Sequence, residues 1–428
     1  MYYKGKTAII SIPNMGYTKN FIKGISWVSA FRLFFRFFSF IKIVILARIL
    51  TPNQFGVFTI AYLVYGISDV FTETGVDIFL VQSKETLHKY LDSAWIVSMI
   101  RGVIMFLLII FSAPFVSSFF HNKESFNLIL LVGIIPLIQG LINPAEANFQ
   151  KELLFKNEFF FRSFISAVEV AVTITIVLIL QTPIGLVYGL IFGALLEMIM
   201  SHIFIKPTPK LKINREHINQ FFHRGQWITY SGIFDYLYRN IDNIMVGRIL
   251  GTSALGLYDV IYKISMLPIT EVTDVVSRVS FPVYVKLAGD PERLKKAFLK
   301  TTLGIALIVL PLGIVLFLFP KQTINLVFGP RWVSGSLLLQ VLAGFGIVRA
   351  LSNSTSAMFM ALTKQKYAAI LSFTSFIILF ATIIPLIGKY GLVGAAYSVV
   401  FSSFIVFVLT LFFLNKAFGE NEKFINEK

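Results

Sequence analysis

The sequence predicts an all-α integral membrane protein, with about twelve transmembrane helices in two six-helix lobes related by a pseudo-twofold axis along the membrane normal. Three observations predict it. Of 428 residues 56% are hydrophobic and only 14% charged, with 45 Phe and a mean hydropathy of +0.77, far outside the range of soluble globular chains. Apolar segments of about 20 residues, the length that crosses a bilayer, recur along the whole chain. One stretch also occurs twice. Residues 47–58 read ARILTPNQFGVF, and 200 positions later residues 247–258 read GRILGTSALGLY, so that Arg48, Ile49, Leu50 and Gly56 recur as Arg248, Ile249, Leu250 and Gly256. The same ungapped offset pairs Trp27 with Trp227, Ile41 with Ile241 and Tyr62 with Tyr262. Such a coincidence indicates a chain built from two equivalent halves, an arrangement that membrane transporters use often.

In chain order, residues 1–23 are polar, carry Lys4, Lys6, Lys19 and Lys23, and lack the apolar core and small-residue cleavage site of a signal peptide. They read as a cytoplasmic tail. Spanning segments follow at 25–50, 55–81, 91–111, 126–147, 160–180 and 184–205, which form a first lobe at 24–205. A basic linker at 206–224 leads into a second lobe at 225–415, with segments at 226–250, 255–282, 298–319, 333–362, 367–387 and 392–414, and a tail at 416–428. Lys84, Lys89, Lys151, Lys156, the basic linker, Lys286, Arg293, Lys295, Lys296, Lys300, Lys364 and Lys366 fall on one side, against Lys123, Lys321, Arg331 and Lys389 on the other. The positive-inside rule then puts both termini in the cytoplasm of a multi-pass protein of the inner, cytoplasmic membrane. The net charge of +16 has the same origin, basic loops facing anionic headgroups, so no nucleic-acid partner is expected.

Composition also narrows the chemistry. The absence of Cys excludes disulfides, thiolate metal sites and Cys nucleophiles. The five His form no HExxH pattern, so no metal, cofactor or catalytic residue is expected beyond a possible coupling H⁺ or Na⁺.

Ionisable residues inside apolar segments carry the functional information, because each costs about 2.5–3.5 kcal/mol at mid-helix unless it faces protein or water. Arg32 and Arg36 lie four apart on one helix face, and Asp235, Arg239 and Asp242 share a face of the repeat mate. Arg101, Glu169 and Arg349 fall near the middles of their segments. Asp69, Glu73 and Asp77 would spread over about 80° of a continuous helix, as would Lys263, Glu271, Asp274 and Arg278 in the other half. One polar face per helix in both halves implies a hydrated cavity between them, with Pro268 as a plausible kink and gate element. Candidate substrate-binding cations are Arg32, Arg36, Arg101, Arg239, Lys263 and Arg349; candidate ion-coupling or gating acids are Asp69, Glu73, Asp242, Glu271 and Asp274.

Blander readings compete. Arg32 is near enough to the boundary to snorkel, and Lys42, Asp77 and Arg278 lie near segment ends. Asp235 or Asp242 could simply neutralise Arg239. For Arg48 and Arg248, at helix ends before the repeated turn, a fold role fits better than ligand contact, and the stripe Gly185, Gly189, Gly193 reads as helix packing.

Four stretches resemble a known family: LTPNQFG at 50–56, FTETGVDIFLVQ at 71–82, DNIMVGRILGTSALGLYDVIYKI at 242–264 and VSFPVYVKLAGDPERLKKAF at 279–298. Their ordered set is similar to the polysaccharide exporters of the MOP superfamily (multidrug, oligosaccharidyl-lipid and polysaccharide exporters), in the Wzx-like branch of colanic-acid and teichuronic-acid type exporters. The resemblance implies two MATE-like lobes that alternate access around a central cavity. It also implies an undecaprenyl-pyrophosphate-linked oligosaccharide as substrate, flipped from inner to outer leaflet at the expense of an ion gradient, with membrane lipid and polysaccharide polymerase machinery as partners. Mid-membrane arginines suit a pyrophosphate, since the guanidinium fork is permanently charged and bidentate. A cation or drug antiporter of the same superfamily is the first alternative, but it needs an acidic or aromatic cavity. A membrane-embedded polymerase or glycosyltransferase is the next, but it needs an extracytoplasmic catalytic loop that this chain lacks; an inert scaffold would not explain the paired polar faces.

Overall fold

The computed structural model describes residues 34–83 and 85–426. The expected tail at 1–23, Trp27, Arg32 and Lys84 lie outside the described residues.

The first half opens with α1 (34–49), which ends at the repeated turn. Thr51 then starts α2 (Pro52–Phe71) with a reciprocal capping box to Gln54, and Pro52 occupies the first turn, where its missing N–H costs nothing. The expected continuous span 55–81 is broken in the structure. The chain leaves the helix after Phe71, passes through Gly75 at φ +63°, and restarts as α3 (Val76–Gln82). Only glycine adopts that left-handed geometry without steric cost, and Thr72 Oγ1 turns back onto Ser68 O at 2.8 Å, closing the helix end. Next come α4 (Leu87–Phe119), α5 (Glu124–Val132), α6 (Ile134–Gln139), a 3₁₀ turn at Pro144–Glu146 and α7 (Ala147–Lys151). Segment 126–147 is therefore also broken, with a bend of 69° between Glu124–Gln139 and Pro144–Lys151. Helices α8 (Phe155–Leu180) and α9 (Ile184–Phe204) complete the half.

Asn143 sets the bend. Fully buried, its Oδ1 accepts from Ala145 N at 2.9 Å while Nδ2 donates to Ile205 O and Pro207 O, both at 3.2 Å, tying the break to the end of α9. Asn143→Ala is expected to orphan these groups at a cost of about 2–3 kcal/mol, read as a lowered Tm of the purified protein; an unchanged Tm would show that the bend holds itself.

The second half begins with α10 (Arg215–Leu250), capped by the Asn214 side chain on the backbone N–H groups of Glu216 and His217. It continues through α11 (Thr252–Leu287), α12 (Pro291–Leu318), α13 (Pro320–Val327), a 3₁₀ segment (Pro330–Gly335), α14 (Ser336–Ala361) and α15 (Gln365–Asn426). Gly391, at φ +59° and ψ −138°, interrupts α15 between the last two expected spans.

Among the described residues seven helices are long and apolar enough to cross a membrane, or eight counting the bent pair as one span. Large side chains on their surfaces, such as Phe111, Phe115, Ile179 and Leu307, stand exposed, which is stable only against lipid. Helix packing uses small residues, as expected in a bilayer: a Cβ on Gly185, Gly189 or Gly193 of α9 would lie 2.7, 1.9 or 2.7 Å from Val177, Thr173 or Glu169 of α8. Closest of all is the approach of the repeat to itself. Gly56 of α2 and Gly256 of α11 face each other so tightly that a Cβ on the first would lie 1.8 Å from Thr252 O, and one on the second 1.9 Å from Pro52 O. Thr59 Oγ1 donates to Asp259 Oδ2 at 3.2 Å, and the Thr252 hydroxyl donates to Asn53. Thr59 and Asp259 are themselves 200 positions apart, so equivalent positions of the repeat meet at one point.

Candidate functional site

The polar residues of α2, α3 and α4 converge on a cavity of about 630 Å³ inside the first half. Arg101, midway along α4, is its first centre. Its Nη2 lies 2.6 Å from Asp69 Oδ1 and 3.2 Å from Glu73 Oε2, while Nε donates to Thr72 O at 3.1 Å and Nη2 also to Asp69 O. The guanidinium thus caps the broken end of α2, where free carbonyls and the negative end of the helix dipole attract a cation. Asp69, Glu73 and Asp77 do not share one continuous helix face, because α2 ends between the first two. They meet all the same: Asp69 and Asp77 line the cavity and Glu73 is held by Arg101 and by Gly75 N. Tyr65 Oη donates to Gln139 Oε1 at 2.7 Å on the same wall.

A second centre was not foreseen. Arg162 of α8 lies 3.2 Å from Glu146, 3.2 Å from Glu158 and 3.6 Å from Glu197, and Arg162, Glu146 and Glu197 line the cavity. Glu146 Oε1 is buried without a hydrogen-bond partner. The signal was present in the sequence, Glu197 within the apolar run GALLEMIM and Glu146 within an apolar segment, but neither had a neighbour at helical spacing to mark it. In all, six carboxylates (Asp69, Glu73, Asp77, Glu146, Glu158, Glu197) surround two guanidiniums (Arg101, Arg162), a formal charge of −4 when every group is ionised.

The remaining candidate cations among the described residues do not line this cavity. Arg36 is exposed on α1. Arg239 of α10 is 62% exposed and pairs with Asp235 at 2.7 Å, one of the two partners the sequence offered it. Lys263 of α11, 49% exposed, pairs at 2.6 Å with Asp259, the residue that also meets Thr59. Arg349 of α14 is half-buried, donates to Tyr262 Oη at 2.9 Å and lies over the Phe345 ring. Asp242 is buried and accepts from Tyr258 Oη at 2.9 Å. The side chains of Glu271, Asp274, Arg278 and Pro268 lie outside the described residues, as does Arg32.

Depth unites the four cations. At 1.5 Å per residue, Arg36 and Arg239 sit about 16–20 Å below the ends of α1 and α10 at the repeated turn, and Lys263 and Arg349 about 16–20 Å along α11 and α14 from their first residues. Counted from those helix ends, this is about half the thickness of a hydrocarbon layer of about 30 Å, although α1, α10 and α11 are not among the seven helices long and apolar enough to cross one. A charge at that level is tolerable only where it faces protein or water, and Arg239 and Lys263 have in addition an acidic partner one helical turn away.

Residues 45–337 match the family described as Polysaccharide biosynthesis protein. Among curated proteins, the chain is 25% identical over 353 residues to the Teichuronic acid biosynthesis protein TuaB of Bacillus subtilis (strain 168), covering 80% of this chain and 72% of that one. It is 24% identical over 344 residues to the Lipopolysaccharide biosynthesis protein WzxC of Escherichia coli (strain K12), covering 79% and 70%. Among solved structures, the Lipid II flippase MurJ in its inward closed conformation superposes with a TM-score of 0.70 at 16% identity, covering 93% of this chain and 90% of that chain, which establishes a shared fold.

Proposed function

This chain belongs to the polysaccharide biosynthesis protein family, and from that premise we propose that it is a transporter that flips an undecaprenyl-pyrophosphate-linked oligosaccharide from the inner to the outer leaflet of the cytoplasmic membrane. The names of its relatives, which concern teichuronic acid and lipopolysaccharide biosynthesis, support a polysaccharide precursor as cargo. The observation that carries the reading is the level of Arg36, Arg239, Lys263 and Arg349. Arg36, Arg239 and Lys263, exposed at that level, and Arg349, half-buried beside Tyr262, favour a hydrated path between the halves, and an anionic pyrophosphate traversing that path gains charge-assisted hydrogen bonds to guanidinium groups. Sugars need only water and hydroxyl partners along the same route.

In this reading the chain has two six-helix lobes, 24–205 and 225–415, joined by the linker 206–224, with both termini in the cytoplasm, where the basic loops favour them. The meeting of equivalent residues at Gly56 and Gly256 supports a twofold relation between the lobes. Alternating access then exposes the cationic level to one leaflet at a time and delivers the lipid-linked unit where polymerase machinery can take it up. The acidic cavity of the first half supplies the coupling. Four lining carboxylates against two guanidiniums favour bound protons or small cations such as Na⁺, and Asp69 and Glu73, paired to Arg101, exchange partners as the cavity changes access. Asp242, Glu271 and Asp274 remain coupling candidates in the second half.

That same acidic cavity is what a cation antiporter would use, so the test has to separate the two. In liposomes carrying a short lipid-pyrophosphate oligosaccharide, wild type is expected to move it to the opposite leaflet. Arg239→Ala and Arg349→Ala each lower the rate at least about tenfold, the worth of one charge-assisted contact, while purified protein remains folded. Wild type that leaves the lipid in place and expels organic cations would replace this reading with the antiporter.

A further inference from the structure

The two repeat arginines make equivalent contacts, each to the opposite half. Arg48, at the end of α1, donates from Nη2 to Leu326 O at 2.5 Å and from Nε to Val327 O at 3.3 Å. These are the last carbonyls of α13. Arg248, near the end of α10, donates from Nη1 to Phe119 O at 2.6 Å, the last carbonyl of α4, and bonds to a ring nitrogen of His121 just beyond it. Each arginine therefore supplies, from one half, the cap that the other half's helix end lacks. The residues before them match as well. Ala47 O accepts from the buried Trp332 Nε1 at 2.7 Å, and at Gly247 the Phe120 ring lies so close that a Cβ would be 2.8 Å away. Beneath this ring of contacts Leu50, Leu255, Val57 and Tyr258 are fully buried, and Thr59 and Asp259 nearly so.

We infer that Arg48 and Arg248 form a pair of latches that holds the repeat end of the molecule shut, and that both must release for this end to open. The inference rests on the alternating-access reading above, in which this end faces outward. Several features suit a latch better than a fixed structural bridge. Both guanidiniums are exposed, so water replaces their partners at little cost when they let go. Both grip main-chain carbonyls rather than carboxylates, so nothing charged is left behind. Their partners stand on helix ends of the other half, so that a displacement of that half would carry them away. Beneath the latches the halves touch through glycine backbone, a shared apolar core and the hydrogen bonds Thr59 to Asp259, Thr252 to Asn53 and Tyr236 to Leu63 O, with no ion pair between them there among the described residues.

The chain has no native Cys, so a single introduced thiol reports on this end alone. In intact cells Thr59→Cys, just under the latch, is expected to react slowly with a membrane-impermeant maleimide. Adding Arg48→Ala and Arg248→Ala together raises that rate about tenfold, the factor expected when two charges leave helix ends, and Arg48→Lys with Arg248→Lys restores part of the protection. In a second arm, Asn53→Cys with Thr252→Cys, whose native side chains already touch, is oxidised to a disulfide across the interface. Transport in the liposome assay then stops and returns on reduction. An unchanged labelling rate in the double-alanine protein, or full transport by the cross-linked protein, would overturn the latch. Labelling is read without substrate, so it decides the latch even where the lipid-linked oligosaccharide is not transported. Should the alanine variants fail to fold, Arg48→Gln with Arg248→Gln, which keeps length and polarity but loses the charge, is read instead, and an unaltered labelling rate there would overturn the latch too.

Discussion

Gly56→Ala and Gly256→Ala are each expected to destabilise the protein by about 3 kcal/mol or more, at the upper end of what overpacking costs. The added methyl would stand 1.8 Å from Thr252 O in the first variant and 1.9 Å from Pro52 O in the second, little more than half a contact distance. A flexible side chain could swing aside, but these obstacles are main-chain carbonyls of the first turns of α11 and α2, fixed by the turns that start both helices. Relief has to come from separating the helices, and that opens a core in which Val57, Ile60, Leu255 and Ile261 are fully buried. Gly304→Ala in α12, where nothing lies within 4 Å, is the control and should be neutral. Thermal unfolding of the purified variants checks the difference. A Tm for Gly256→Ala equal to that of Gly304→Ala would mean that the halves are not pressed together at the repeat.

These glycines show what the sequence could reveal. Repetition at a fixed offset depends on residue identity alone, so the equivalence of Arg48 with Arg248 and of Gly56 with Gly256 was legible, and apolar run length located the helices but not their ends, since α10 starts at Arg215 against an expected 226 and α4 ends at Phe119 against an expected 111. Capping and breaks were less so. Nothing in the run 55–81 distinguished a continuous helix from one interrupted at Gly75, because a glycine inside an apolar segment packs as readily as it bends. Partner choice was hidden further. By charge sign alone Arg101 belongs with the substrate cations and Asp69 with the coupling acids, yet the two are 2.6 Å apart. Which face of α4 turns toward α2 is decided by packing across many residues, and no local spacing records it. Arg162 shows the same limit: its partners Glu146 and Glu197 come from different segments, each isolated in its own apolar surroundings.

Lys42 is the residue whose placement near a segment end most understated its energetic importance. Its Nζ lies 2.6 Å from Glu169 Oε1, joining α1 to α8, with side chains only 18% and 15% exposed. Thr173 Oγ1 donates to the same oxygen at 2.9 Å, and Gly193 of α9 approaches so closely that a Cβ would be 2.7 Å from Glu169 Cγ, which leaves little room for water. Lys42→Met therefore strands a carboxylate at membrane depth and is expected to cost about 3–5 kcal/mol, a fall in Tm of about 10 °C for a lobe of this size. The cost lies in the orphaned charge, not in the lost attraction, so Lys42→Met combined with Glu169→Leu should recover most of it, as replacing a whole buried pair by apolar groups does. Thermal unfolding of the three proteins decides the point. A double variant as unstable as Lys42→Met would place the energy in packing between α1 and α8. A fully stable Lys42→Met that no longer transports would instead move Glu169 from the framework into the coupling machinery, since a carboxylate that loses its lysine without penalty has taken up a proton or another cation in its place.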